Sequence, residues 1–253
     1  MNGITGREAR RPGSAARLFF RPTLSFLGSF SLSADILIST EGKSSRQAIN
    51  QLDFNPKWRW GSVHLGDFSE SYSSMTLNGI RIRGASLSIN PGKFRFSTIA
   101  GSSRRATTSN SSPRSYSREI CGGKIGLGRE SGSYIDLMVL RLRDRFASLP
   151  QLADTLNSQD STAGINPLAV HPEENLIVAI ASDWDLVKNK LSWNNELSGS
   201  AYTRNTQGSK LSAGKIPLSV EKIFKFRVGS RVDVAYKTEL NTRFRNWSLS
   251  SGY

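Results

Sequence analysis

The sequence predicts an all-β antiparallel fold of about 10–12 strands. Three observations predict it: long segments alternate apolar and polar residues, tight turns alternate with long polar loops, and no segment has the periodicity of a core helix. Successive side chains of a strand point to opposite faces, so each alternating segment has one apolar face and one wet face. The 22 glycines and the abundant Ser and Thr also weaken helix interiors.

Composition excludes several kinds of site. Cys121 is the only cysteine, and His64 and His171 are the only histidines, so a disulfide framework and most zinc sites are excluded. The formal net charge is +14, but the positive residues are dispersed, which favours wet faces over a dense nucleic-acid patch. The longest apolar run, 176–181, is far shorter than the ~18 residues that a membrane helix needs.

Two regions are predicted along the chain. Residues 1–21 are polar and basic and are expected to be a disordered segment, and residues 22–253 are expected to form one β-barrel domain. The amino-terminal residues lack the apolar stretch of a secretion signal. We therefore expect the barrel domain to be truncated at one or both ends.

Strands are predicted in the first half wherever alternation is clear, and Asn90-Pro91-Gly92 forms a tight reversal between two of them. In the segment 75–89 the apolar parity changes at Gly84, which suggests a bulge or a turn there. A long polar loop covers 101–119. The alternating segments are 23–32, 34–40, 57–66, 75–89 and 93–101.

Three hairpins are predicted in the second half. Their turns lie at 130–132, 188–189 and 245–246, and long irregular stretches separate them. The stretch 145–156 has room for one short helix. The paired segments are 124–130 with 133–144, 174–186 with 190–203, and 224–244 with 246–253.

Alternation of this kind fits both a soluble β-sandwich and a transmembrane barrel. Segments such as 176–186 and 191–203 reach the ~9–11 residues that a tilted strand needs to cross a bilayer. Short turns at one end and long polar connections at the other are typical of outer-membrane barrels. Aromatic residues also gather beside the short turns, as expected for a girdle at the membrane interface, although cross-strand stapling explains them too. The predicted girdle consists of Phe94, Phe96, Tyr134, Trp184, Trp193, Phe244 and Trp247.

Residues 20–253 resemble large outer-membrane β-barrel proteins of Bacteroidota-type bacteria. The resemblance is most specific at 76–96 and implies a closed antiparallel sheet in the outer membrane, with no catalytic residues to carry over. Family members are longer and begin with a secretion signal, and this chain differs in both respects. The residues that carry the resemblance are Leu65-Gly66-Asp67, Tyr72, Thr76-Leu77-Asn78-Gly79, Arg83-Gly84-Ala85, Pro91 to Phe96, and Gly101.

No motif predicts catalysis, a cofactor or a metal. The glycine-rich stretch 121–128 lacks the spacing of a phosphate loop, and Asp183 and Asp185 are expected to be solvated acids rather than cation ligands. Arginine pairs at neighbouring alternate positions suggest a positive lumen patch that selects anions, or ordinary polar lining. These lumen-facing candidates are Arg81, Arg83, Arg141 and Arg143.

The function that these patterns predict is an integral outer-membrane barrel that is not an enzyme. A pore, a transport or export component, and a structural protein all fit. The expected partners are outer-membrane lipid and other envelope proteins. The alternative is a soluble basic module that binds nucleic acid through aromatic and basic residues interleaved at 57–60 and 93–96, although nucleic acid is the less expected partner.

Overall fold

The structure is a computed structural model that describes residues 16–26, 28–40, 50–107, 114–129, 132–149, 170–187, 190–211, 224–244 and 247–252. Within these residues the chain forms one antiparallel sheet of 13 strands and a single short 3-10 helix at Phe146–Ser148. The all-β prediction is confirmed. No helix in the described part is long and apolar enough to cross a membrane.

The strands are β1 Arg17–Phe20, β2 Thr23–Phe26, β3 Phe30–Ser39, β4 Gln51–Trp58, β5 Gly61–Glu70, β6 Ile80–Ile89, β7 Phe94–Arg104, β8 Ser117–Gly128, β9 Tyr134–Arg145, β10 Glu174–Val187, β11 Leu191–Thr203, β12 Arg231–Phe244 and β13 Trp247–Gly252. β1 lies within 1–21, for which the sequence predicts no structure. Residues 1–15 lie outside the described residues, as does the part of the predicted short helix beyond 149.

Each strand from β3 onward pairs with the next one along the chain. β1 and β2 both pair with β3, so they act as one interrupted strand: Phe20 opposes Ile36 and Leu24 opposes Leu32. Among the described residues no pairing joins β13 to β1 or β2. The sheet is therefore open along these two edges, as expected for a barrel domain that is truncated.

The two ends of the sheet differ in the length of their connections. We call them the short-turn end and the loop end. The short-turn connections are 27–29, 59–60, 90–93, 129–133, 188–190 and 245–246, and the loop-end connections are 40–50, 71–79, 105–116, 146–173 and 204–230. The predicted alternation of tight turns and long loops is confirmed, because every second connection is short.

One face of the sheet, which we call the outer face, carries apolar side chains that no described residue covers. Leu137 and Val139 of β9 oppose Ile180 and Val178 of β10 on this face. The four residues are 41–46% exposed. Residues opposite one another in an antiparallel pair share a face, so the register extends this surface across neighbouring strands.

The opposite face, which we call the inner face, holds the buried core. Leu140 on β9 is only 1% exposed although it adjoins the exposed Val139. Leu77 belongs to the loop 71–79, and this loop covers the inner face. The buried cluster consists of Phe68, Leu77, Ile82, Ile99, Ile120 and Leu140.

The sheet curls around this loop. Ser73, next to β5, donates a hydrogen bond to Glu196 in β11, which lies five strands beyond β6 in sheet order. Thr76 likewise reaches Met138 in β9. Contacts across so many strands require a strongly curved sheet, as in barrels.

The apolar parity of a strand changes between the two ends of the sheet. In β6, Ile80 and Ile82 near the loop end face inward, whereas Leu87 and Ile89 near the short turn face outward. The pairing of β6 with β5 runs without a shift from Gly61↔Ile89 to Glu70↔Ile80. The predicted bulge at Gly84 is therefore wrong. The parity changes because the buried face changes, not because a residue is inserted.

Replacing Leu77 by Ala should lower the free energy of unfolding by about 2–5 kcal/mol, because the side chain is fully buried in the inner cluster. The matched change Val234→Ala on the outer face, where Val234 is 73% exposed, should cost less than about 0.5 kcal/mol. Urea unfolding in detergent micelles, followed by tryptophan fluorescence, measures both. Equal losses would contradict the assignment of the two faces.

Candidate functional site

Charged residues meet on the inner face where β8 has glycine. Arg95 of β7 opposes Gly126 of β8, and Gly126 opposes Asp136 of β9. A side chain at Gly126 would collide with Asp136, since a Cβ there would lie 2.0 Å from its carboxylate oxygen Oδ1. The gap lets two strands that are not neighbours form an ion pair. Arg95 Nη2 donates to Asp136 Oδ2 at 3.0 Å.

This ion pair is almost completely buried, and further groups surround it. The Asp136 side chain is 3% exposed and the Arg95 side chain is 10% exposed. Lys124 Nζ lies 3.9 Å from the same carboxylate. The Arg95 guanidinium also stacks over Tyr134, with Cζ 4.2 Å from the ring centroid. Such a contact partly replaces lost hydration, so two cations share one buried carboxylate here.

The loop 71–79 is fastened to the opposite wall by a second buried carboxylate. Glu196 of β11 accepts hydrogen bonds from Ser73 Oγ at 2.5 Å, from Ser74 Oγ at 2.8 Å and from the backbone N–H of Met75 at 3.1 Å. Several hydrogen-bond donors offset the hydration that a carboxylate loses on burial. The loop therefore depends on Glu196 for its position on the inner face.

A polar cavity of about 200 Å³ opens between the loop and the walls. Acidic, basic and amide groups line it, so it suits water or a small polar solute rather than an apolar ligand. The described residues contain no group of three or more side chains suited to hold a metal ion. The lining includes Tyr72, Ser73, Tyr134, Asp136, Asn194, Glu196, Lys237 and Glu239.

A separate ion network closes the inner face at the loop end. Arg104 opposes Arg118 after a bulge in β7, and both donate to the carboxylate of Asp144 in β9. Arg118 also donates to Glu173 at 2.6 Å. Asp144 is 3% exposed, so two arginines satisfy a carboxylate that burial would otherwise destabilise.

Two tyrosines in the connections have raised pKa values. Burial raises the pKa of Tyr72 far above its ordinary value, and the nearby Glu70 raises it further. Burial, and then the charge of Asp144, also raises the pKa of Tyr116. Both phenols therefore lose their protons only at a higher pH than an ordinary tyrosine does. The Lys124 ammonium lies 5.3 Å from the centroid of the Tyr72 ring, so this tyrosine contributes an aromatic face to the site.

The predicted aromatic girdle separates into three groups. Phe94 opposes Leu127 on the outer face, and Phe96 lies two residues further along the same face. Trp184 and Trp193 oppose each other beside the turn 188–190, and both are exposed. These four residues share the outer face near the short-turn end. Their role at a membrane interface stays a prediction.

Of the other three girdle residues, the structure describes the side chain of Tyr134 alone. Tyr134 faces inward with Asp136, so its predicted place in an outer girdle is corrected. It was misassigned because the sequence shows the distance to a turn but not the face. Phe244 and Trp247 oppose each other in the backbone register, and their side chains lie outside the described residues.

The arginine pairs also lie on the face opposite to the predicted one. Arg81 and Arg83 share the outer face with Leu87, and Arg141 and Arg143 share it with Val139. The prediction that they face the lumen assumed that Ile80 and Ile82, which alternate with Arg81 and Arg83, point toward lipid. Ile82 instead belongs to the inner core, so the arginines point outward.

Sequence reasoning missed Arg95, Lys124, Asp136 and Glu196. A usable signal was present in β9, where Asp136 shares its parity with the buried Met138 and Leu140. A charge on an apolar parity requires a partner. The identity of that partner depends on the registers β7–β8 and β8–β9 together, and the sequence alone does not provide them.

No family model and no curated protein matches the sequence. One solved structure that is similar is OmpTdeltaL8, a loop L8 deletion mutant of OmpT, which is an outer membrane protein of Vibrio cholerae. The identity is 8%, the TM-score is 0.39, and the match covers 95% of this chain and 87% of that chain. A similarity at this level identifies neither a family nor an activity.

The prediction that the protein is not an enzyme is corrected. It rested only on the lack of a recognised catalytic motif, and an absence of that kind does not exclude catalysis. A fold of this kind does not decide between catalysis and transport, because function lies in the site and not in the architecture. The exclusion of enzymatic activity is therefore withdrawn.

Replacing Asp136 by Asn should lower the free energy of unfolding by about 3–5 kcal/mol, because Arg95 and Lys124 would both lose a buried carboxylate. Arg95→Met should cost less, since Lys124 still neutralises Asp136. The control is Asp35→Asn in the exposed Arg21–Asp35 pair, where the expected loss is below about 1 kcal/mol. Urea titrations measure all three. A loss at Asp35 equal to that at Asp136 would contradict the buried site.

Proposed function

We propose that the protein is an integral outer-membrane protein of barrel type whose outer face contacts lipid and whose inner face encloses a passage restricted by the loop 71–79. The exposed apolar outer face is the observation that carries this proposal. A soluble protein rarely leaves such a surface uncovered. Its large exposed side chains include Leu65, Leu127, Ile135, Leu137, Val139, Val178, Ile180, Leu197, Val232, Val234 and Leu240.

The height of this surface fits a bilayer. From Leu176 to Trp184, β10 advances eight residues, which corresponds to about 27 Å at about 3.4 Å per residue. A strand tilted by about 40° would then cover about 21 Å, and the apolar band of outer-membrane barrels is about 25 Å tall.

A soluble β-sandwich explains the exposed residues less well. In a sandwich, Ile180, Val234 and Leu240 would lie between two sheets. Here they are 46%, 73% and 41% exposed, and the described chain forms one sheet rather than two. Lipid is the partner that fits an uncovered apolar surface of this extent.

The inner face favours a restricted passage over a wide open pore. The buried cluster around Leu77 fills the loop end of the inner face, and the polar cavity lies beside it. Glu196 holds the loop by three hydrogen bonds to one carboxylate, so a movement of the loop away from Glu196 would break all three. This arrangement supports a transport or export role more directly than a purely structural one.

The nucleic-acid alternative loses the support of one of its two segments, 93–96. Binding through 93–96 would require the aromatic and basic side chains to share one accessible surface. Phe94 points outward, whereas Arg95 is buried against Asp136 on the inner face. The same segment therefore cannot offer stacking and phosphate contacts to one strand of nucleic acid.

The finer expectations belong to this proposal. They are location in the outer membrane, kinship with large Bacteroidota-type barrel proteins, partnership with lipid and other envelope proteins, and a barrel domain over 22–253. The sheet pairing from Arg17 onward extends that domain by a few residues.

Val234→Arg should prevent stable assembly in lipid vesicles, because a cation near the middle of the apolar band costs about 2–4 kcal/mol. The matched variant Ala235→Arg adds the same side chain one residue away on the inner side, where Ala235 is also exposed, and should assemble normally. Resistance to carbonate extraction and heat-dependent mobility on gels measure assembly. A wild-type chain that stays in the aqueous fraction would refute the membrane proposal.

Glu196→Ala should release the loop 71–79, because three donors lose their acceptor. Amide exchange at 73–79 should accelerate by about tenfold or more, and ion conductance in planar bilayers should increase. Glu239→Ala is the control, since Glu239 lines the same cavity from β12 without binding the loop. Equal conductance in the two variants would argue against a passage restricted by this loop.

A further inference from the structure

Five arginines form a group on the outer face at the loop end, which we call the arginine patch. The register places Arg83 of β6 level with Ser102, Glu119 and Arg143 on β7, β8 and β9. The other members lie within two residues of this level along their strands. The patch consists of Arg81, Arg83, Arg141, Arg143 and Arg145.

Acidic neighbours neutralise the patch only in part. Asp67 accepts from Arg83 Nε at 2.7 Å, and Glu174 accepts from Arg141 Nε at 2.7 Å. The contacts of Arg143 with Glu174 and of Arg145 with Glu119 are longer, both 3.9 Å. Five guanidinium groups against three carboxylates leave a net charge of +2 on this surface.

The arginine side chains remain accessible despite these contacts. The side chains of Arg83, Arg143 and Arg145 are 47%, 55% and 65% exposed. Arg81 is exposed and forms no ion pair with another described residue. A guanidinium group has several N–H donors in a fixed plane, and two of them can bind two oxygens of one phosphate.

The surface directly below the patch is apolar and shallow. Two residues nearer the short-turn end than Arg83, the register aligns Ala85, Ala100 and Cys121, beside Arg141 of the patch. The next step aligns Thr98 with Gly123. Larger side chains flank these positions, including Leu65 on β5 and Val139 on β9. An extended hydrocarbon chain would fit between them while its polar end reached the arginines.

We propose that the arginine patch binds the phosphate headgroup of an anionic membrane lipid whose acyl chains lie on the apolar surface below it. This inference rests on the proposed membrane location. It follows from the outward direction of the arginines, because side chains at the edge of an apolar band meet headgroups and not a lumen. Basic side chains at this level attract anionic lipids.

The test uses the full chain reconstituted in phosphatidylcholine vesicles that contain a small fraction of spin-labelled phosphatidic acid or spin-labelled phosphatidylcholine. Electron paramagnetic resonance gives the relative association of each lipid with the protein. The test variant is Arg81→Gln with Arg143→Gln, which leaves Arg83 on Asp67 and Arg141 on Glu174. The control is Arg59→Gln with Arg129→Gln, two exposed arginines in short turns at the opposite end.

The wild-type protein and the control should prefer phosphatidic acid, and the test variant should lose about fivefold or more of that preference. Raising the salt to 1 M should weaken the preference of the wild-type protein without any mutation, because screening shortens the reach of the charges. This salt arm keeps the proposal testable if the variant folds poorly.

Each of the following results would overturn the proposal. An unchanged preference in the test variant, or an equal loss in the control, would remove the arginine patch as the cause. Displacement of the lipid by millimolar inorganic phosphate would indicate a site for a soluble anion. Failure of the wild-type chain to insert would refute the membrane proposal and this inference with it, whereas insertion without lipid preference would refute this inference alone.

Discussion

The rest of the structure depends on one constraint: a single curled sheet has an apolar outer face, and that face needs an apolar neighbour. Leu137, Val139, Val178 and Ile180 lie together on this face because the register of β9 and β10 aligns them. Period-two alternation dictates that every second residue then points toward the interior of the curve. The length of the apolar part of the outer face thus determines at which positions of each strand a charged side chain can lie on either face.

The strands, hairpins and unequal ends could be predicted from the sequence, because alternation and turn residues are local signals. The assignment of faces could not, since the apolar parity inverts along a strand. In β6 the outer face is apolar at Leu87 and Ile89 but charged at Arg81 and Arg83, while Ile82 enters the inner core. Gly84 lies at this inversion without a bulge, and the sequence alone gives a bulge and an inversion the same pattern.

The inner site was harder to predict because it joins residues that are distant in sequence. Arg95 and Asp136 belong to strands separated by β8, and they meet only because Gly126 leaves space between them. Gly122 does the same for Ile99 and Leu140 in the apolar cluster. The glycine-rich stretch 121–128 therefore has a structural use that its sequence did not suggest: it lets β7 and β9 interact across the inner face.

The parity inversion also separates the roles of the two ends. At the short-turn end the described part of the outer face carries no charged row like the arginines and finishes with Trp184 and Trp193. At the loop end the outer face becomes charged while the inner face becomes apolar, so the loop 71–79 can bury Leu77 there. A loop inserted into a wholly polar interior would bury little apolar surface and would depend on hydrogen bonds alone. Here burial of Leu77 and the three bonds to Glu196 act together, so the same inversion that turns the arginines outward also gives the loop a core on which to pack.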